Sequence, residues 1–165
     1  MTLQGDDALA ISRLRSGKPA LVWRSLIADT ETPVSAYLKL REPERGDFLL
    51  ESVEGGAVRG RYSLIGLAPD LVFRADGHKA EVNRNWATDR DDFHPVADDS
   101  LTALRALATA SHLDVPAELP KTLACLVGYF GYETVGLVEK LPRPAPNELG
   151  LPDMLFVRPT VILAF

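Results

Sequence analysis

Cysteine is nearly absent: Cys125 is the only one in 165 residues. No intrachain disulfide can form, and a zinc site built on several thiolates is excluded. A reducing cytoplasm is the simplest compartment for such a chain. Histidine is scarce as well, and His78, His94 and His112 share no metal-ligand spacing. Positive charge is in the minority, with 18 Lys and Arg against 23 Asp and Glu and a net charge of −5. A nucleic-acid groove or an anionic membrane surface needs clustered positive charge, so neither is expected as a partner. No uninterrupted apolar run approaches the roughly 20 residues of a membrane helix. The opening MTLQGDDALAISRL has no basic segment and no apolar stretch, so it does not read as a secretory signal.

What is present is ordinary globular material. Apolar residues make up 46% and charged residues 25%, which fits one domain over 1–165 with room for a core. Residues 8–16 predict a short helix stopped by Gly17 and Pro19. Residues 20–27 (ALVWRSLI) predict a strand, and Pro33 opens a second helix through Val34, Tyr37, Leu38 and Leu40. Residues 47–53 (DFLLESV) predict a strand with Phe48, Leu50 and Ser52 on one face and Leu49, Glu51 and Val53 on the other. A turn at 54–56 leads to a strand at 61–67 that Pro69 ends. Residues 71–75 and 78–82 flank Asp76-Gly77, a pair suited to a type I′ hairpin. The polar stretch 84–99 predicts a solvated loop; it lacks the turn glycine and tight spacing of a hard-cation loop. Asp99 or Ser100 caps a helix with Leu101, Leu104, Leu107 and Ala108 as its apolar stripe. A buried strand over 122–130, a helix over 133–141, a loop over 142–152 and a strand-like run over 154–165 broken by Pro159 complete the pattern. The fold class expected is α+β, with a largely antiparallel sheet and packed helices. The apolar ending at Phe165 reads as a piece of a longer polypeptide.

The residues alone assemble no self-sufficient active site. Gly55 and Gly60 have the Walker A interval, but Arg61-Tyr62 stands where Lys-Ser/Thr is required. Gly128 and Gly131 lack the third glycine of a dinucleotide fingerprint. Cys125, among Leu123, Leu126 and Val127, reads as an inert buried thiol. The oddity is Glu51-Ser52 inside an apolar strand. Each polar group there needs a partner, either backbone and an arginine such as Arg59 or Arg61 on an edge strand, or a small amphipathic ligand.

The strings FLLESVEGGAVRGRYSLIG (48–66), LVGYFGYETVGLVEKLP (126–142) and DMLFVRPTVILAF (153–165) resemble the N-terminal region of anthranilate synthase component I, of the chorismate-utilising enzyme family. The resemblance implies a parent enzyme that makes anthranilate and pyruvate from chorismate and ammonia supplied by a glutamine amidotransferase subunit. It implies that chorismate and Mg2+ bind a C-terminal portion outside this chain, which is then inactive alone. It also implies that L-tryptophan, the feedback inhibitor, binds against the LLES segment, with Ser52 as the carried-over residue and Leu50 and Glu51 as its neighbours. Leu50 and Ser52 share a strand face, so an apolar contact and a hydroxyl can point the same way; Glu51 reaches such a ligand only by its backbone or across a bulge. The competing readings are the same domain of aminodeoxychorismate synthase and a stand-alone amino-acid-binding or interaction module.

Overall fold

The computed structural model describes residues 7–51, 62–117, 119–120, 123, 126–140 and 146–165. It is an α+β fold with two antiparallel sheets, as the patterning predicts. Helix α1 (Asp7–Arg15) and helix α2 (Pro33–Leu40) precede strand β1 (Phe48–Leu50). Then come β2 (Leu64–Leu67), β3 (Leu71–Asp76), β4 (Lys79–Asn83) and β5 (His94–Val96). Helix α3 (Ser100–Ala110), β6 (Val127–Phe130), a 3₁₀ turn (Tyr132–Leu137), β7 (Met154–Arg158) and β8 (Val161–Ala164) complete the chain. The small sheet has the order β1-β2-β8 and the large one β5-β4-β3-β7-β6. No helix among the described residues is long and apolar enough to cross a membrane.

One bent ribbon joins the sheets. β2 runs into β3 and β7 into β8, and each pairs with the other's continuation. Leu67 pairs with Val161 and Leu71 with Arg158, so three residues (68–70) on one side face two (159–160) on the other. That extra residue is a β-bulge, the device by which a strand bends out of one sheet into another. Ala68 supplies the left-handed residue, at φ +49°. Thr160 N–H donates to Leu67 O at 3.2 Å and Asp70 N–H to Arg158 O at 3.1 Å, closing the corner on both sides. Arg158 then grips both carboxylate oxygens of Asp70 at 2.8 Å.

Each sheet has its own core. Leu71, Phe73, Ala75, Ala80, Val82 and Met154 pack under Ala103, Leu104 and Leu107 of α3. Ile65 and Leu67 pack under Ala36 of α2, with Leu49, Tyr37, Leu163 and Phe165 around them. Asp99, of the two residues suited to cap α3, takes the role by accepting from Leu101 N–H. Ser100 is instead fully buried, donating from Oγ to Gly77 O at 2.7 Å and so tying the helix to the hairpin tip. Thr32 and Ser35 cap α2 reciprocally.

Several expectations need correction. The run 20–27 is not a strand: only Trp23 makes an isolated bridge, and Leu26 and Ile27 are exposed. No described strand pairs along its length, and a strand needs such a ladder. The hairpin closes on Gly77-His78 rather than Asp76-Gly77, with Asp76 opposite Lys79. Gly77 has φ +54° and His78 no positive φ, which fits a type II′ turn. This register sets Phe73 against Val82 and Arg74 against Glu81, whereas the expected one would have set Arg74 against Lys79. Within the polar stretch, His94–Val96 adds an edge strand to β4. In 122–130, the described strand β6 is an edge, with Tyr129 and Phe130 exposed rather than buried. Residues 132–137 form a 3₁₀ turn, not an α-helix; β-branched Thr134 and Val135, Gly136 and an uncapped start all weigh against a regular helix. Helix α2 buries Ala36, while Val34, Leu38 and Leu40 of the expected stripe are exposed.

Candidate functional site

The segment that carries the candidate ligand wall is β1, an edge strand among the described residues. Its residues alternate as expected. Leu49 turns inward onto the α2 core and pairs with Ile65. Phe48 and Leu50 turn to the other face, where Phe48 lies over Gly66. A Cβ on Gly66 would come within 2.2 Å of the Phe48 ring, so glycine is what lets that ring lie flat on the sheet. By register, Leu64 and Gly66 of β2 and Ile162 and Ala164 of β8 share this outer face with Phe48 and Leu50. The face is therefore apolar throughout, and Leu50 on it is 47% exposed. Its chemistry suits an aromatic or aliphatic group laid against a flat surface.

Glu51 follows the last residue of β1 and is exposed. Ser52, the residue carried over for the amino-acid ligand, lies outside the described residues, as do Cys125, Arg59 and Arg61. Of the three candidate residues, the structure thus places Leu50 on the outer face and Glu51 just beyond the strand's end.

The entrance to β1 holds a residue that pattern reading missed. Asp47 has a side chain only 2% exposed. Its Oδ1 accepts from Ala68 N–H at 2.9 Å, and its Oδ2 accepts from Glu42 N–H at 2.9 Å. Arg45 donates to the same carboxylate from Nε at 2.9 Å and lies at 2.8 Å through its terminal nitrogen. Burial pushes the Asp47 carboxyl up, but the Arg45 guanidinium and the two backbone N–H groups outweigh it and hold it below the usual carboxylate range. A sequence signal for this exists only in hindsight: an Asp just ahead of an apolar strand and after a glycine.

Elsewhere several polar groups pair with each other. His78 faces Asp99 and His94 faces Asp92, on separate elements, so the imidazoles do not converge. Hydrogen bonding to His78, against burial, holds Asp99 below its ordinary value. A cleft of about 590 Å³ beside the hairpin is lined by Arg74 and Glu81, which form an ion pair, and by His78 and Asp99, which are hydrogen-bonded to each other. Among the described residues no group of three His, Cys, Asp or Glu is placed to hold a metal ion.

No family model matches the chain. Curated relatives do. The chain is 45% identical over 148 residues to anthranilate synthase component 1 of Cereibacter sphaeroides, covering 90% of the chain and 30% of that protein. It is 41% identical over 144 residues to the Mycolicibacterium smegmatis protein of the same name, covering 87% and 26%. With the Thermus thermophilus protein of that name it shares 39% over 144 residues, covering 86% and 29%. The fold is similar to the crystal structure of anthranilate synthase component I from Streptococcus pneumoniae TIGR4. The TM-score is 0.50 at 19% identity, over 88% of this chain and 29% of that one. By sequence the chain is similar to these anthranilate synthase component 1 proteins, of whose length it spans between 26% and 30%.

Proposed function

We propose that this chain is the N-terminal, regulatory part of an anthranilate synthase component I. The observation that carries the reading is 45% identity over nine-tenths of the chain to a protein of that name about three times as long. The parent enzyme joins chorismate to ammonia from a glutamine amidotransferase subunit and releases anthranilate and pyruvate, in the cytoplasm. Chorismate and Mg2+ belong to the remainder of the parent, so this chain alone does not turn over chorismate.

This part provides one wall of the tryptophan inhibitor site. The apolar outer face with Leu50 supports that reading, since an indole needs a flat apolar surface and its ammonium and carboxylate need polar partners. Leu50 supplies apolar contact, Ser52 the hydroxyl, and Glu51 a neighbouring contact through its backbone. Tryptophan binding favours the inactive arrangement of the parent through its higher affinity for that state. The test is Ser52→Ala in the full-length parent enzyme. Tryptophan inhibition should weaken by about 5-fold or more, the lower end of typical allosteric coupling. Wild-type inhibition in that variant overturns the assignment.

A further inference from the structure

The position of β1 is set at its entrance rather than along its length. The strand has three residues, pairs on one side only among the described residues, and has a short ladder to hold it. The loop that delivers it is built tightly. Glu44 and Gly46 both adopt left-handed backbone, at φ +58° and +89°. A Cβ on Gly46 would lie 3.2 Å from Pro69 and 3.5 Å from Trp86 Nε1, so the loop backbone rests directly on the corner of the ribbon. Trp86 Nε1 donates to Arg45 O at 2.7 Å. The loop ends in the Asp47 carboxylate, which fastens Glu42, Arg45 and the bulge residue Ala68 to one another. Leu50 stands three residues further on.

We propose that Asp47 is the positioning residue of the tryptophan wall: by pinning the entrance of β1 to the Ala68 bulge, it fixes where Leu50 meets the inhibitor. The proposal rests on the reading of this chain as part of the inhibitor site. Asp47 does not touch the ligand. It acts by presenting a wall already in its bound position, and a loosened wall must be ordered on binding, which lowers affinity.

Asp47→Asn is the discriminating variant because it keeps size and shape. Whichever way the amide turns, its NH2 group meets donors where an oxygen had accepted, from Arg45 and Ala68 on one side or Arg45 and Glu42 on the other. The measurement is the ratio of the inhibition constant for tryptophan to KM for chorismate in the full-length parent enzyme. Partial loss of folded enzyme lowers the maximal rate but leaves that ratio alone. Asp47→Asn should raise the ratio about fivefold or more, and Asp47→Ala further, the scale of losing one or two charged hydrogen bonds. Asp99→Ala, which removes the α3 cap at the opposite end of β3, serves as the control for general loosening. A wild-type ratio in Asp47→Asn, or an equal rise in Asp99→Ala, overturns the role of Asp47. Ser52→Ala run in parallel separates the two readings. If Ser52→Ala raises the ratio and Asp47→Asn does not, the inhibitor wall stands and the Asp47 role falls. If neither raises it, the inhibitor wall itself is overturned.

Discussion

Ala68 adopts a conformation that an L-residue with a Cβ takes at an expense of about 1–2 kcal/mol. It holds φ +49° because both its backbone groups are bound in place, its N–H by Asp47 and its carbonyl by Thr160 Oγ1 at 2.7 Å. Ala68→Gly removes the Cβ strain while adding some chain entropy to the unfolded state. The net effect should be a gain of about 0.5–1 kcal/mol, read as a higher urea midpoint at unchanged slope. A lower midpoint would mean that the methyl group contributes contacts worth more than the strain. Nothing in the sequence marks this residue, since alanine carries no turn signal; the only legible sign is Pro69 after it, which predicts a strand end but not a bulge.

Among the elements, two glycines test how the strands approach each other. The three atoms nearest a Cβ on Gly66 all belong to the Phe48 ring, which sits on a strand that is an edge among the described residues and can swing away. A Cβ on Gly128 would lie 1.9 Å from Leu155 O and 2.7 Å from Phe156 Cα, both backbone. Gly66→Ala should therefore cost about 1–3 kcal/mol, as overpacking does, and Gly128→Ala distinctly more, because β6 must leave β7. Equal urea midpoints for the two variants would show that β6 yields as easily as a ring. The elements that were legible from residues alone are those with a strong local rule. Asp99 ahead of an apolar stripe marked α3, and Pro33 marked the start of α2. The β3–β4 hairpin was legible but its loop was not. Asp-Gly is the better local turn, yet cross-strand pairing of Arg74 with Glu81 and Asp76 with Lys79 moved the loop by one residue. The outer-face position of Leu50 followed from alternation. The Asp47 bracket did not, because its partners Ala68 and Arg45 lie on both sides of the strand in sequence and meet only in the fold.

For the molecule as a whole, the ribbon of β2–β3 against β7–β8 decides cooperativity. The two cores lie under different helices, α2 and α3, and could in principle melt apart. They share both strands of the ribbon, however, and the Arg158–Asp70 fork and Asp47 bracket sit at its corner. Urea unfolding should then give one transition, with tryptophan fluorescence and far-UV circular dichroism sharing a midpoint. Separate midpoints would show that the bend uncouples the sheets. Trp86, bonded to the loop beside the corner, makes fluorescence the sensitive probe.

The same ribbon constrains the order of events during synthesis. The second edge of β2 is paired by β8, and Leu67 and its partner Val161 are separated by about 94 positions in the chain. At a translation rate of about 5–20 residues per second, β2 waits on the order of 5–20 s on the ribosome with that edge open. A nascent chain with an open apolar edge is a template for wrong pairing, so this protein depends on β8 arriving before a neighbour does.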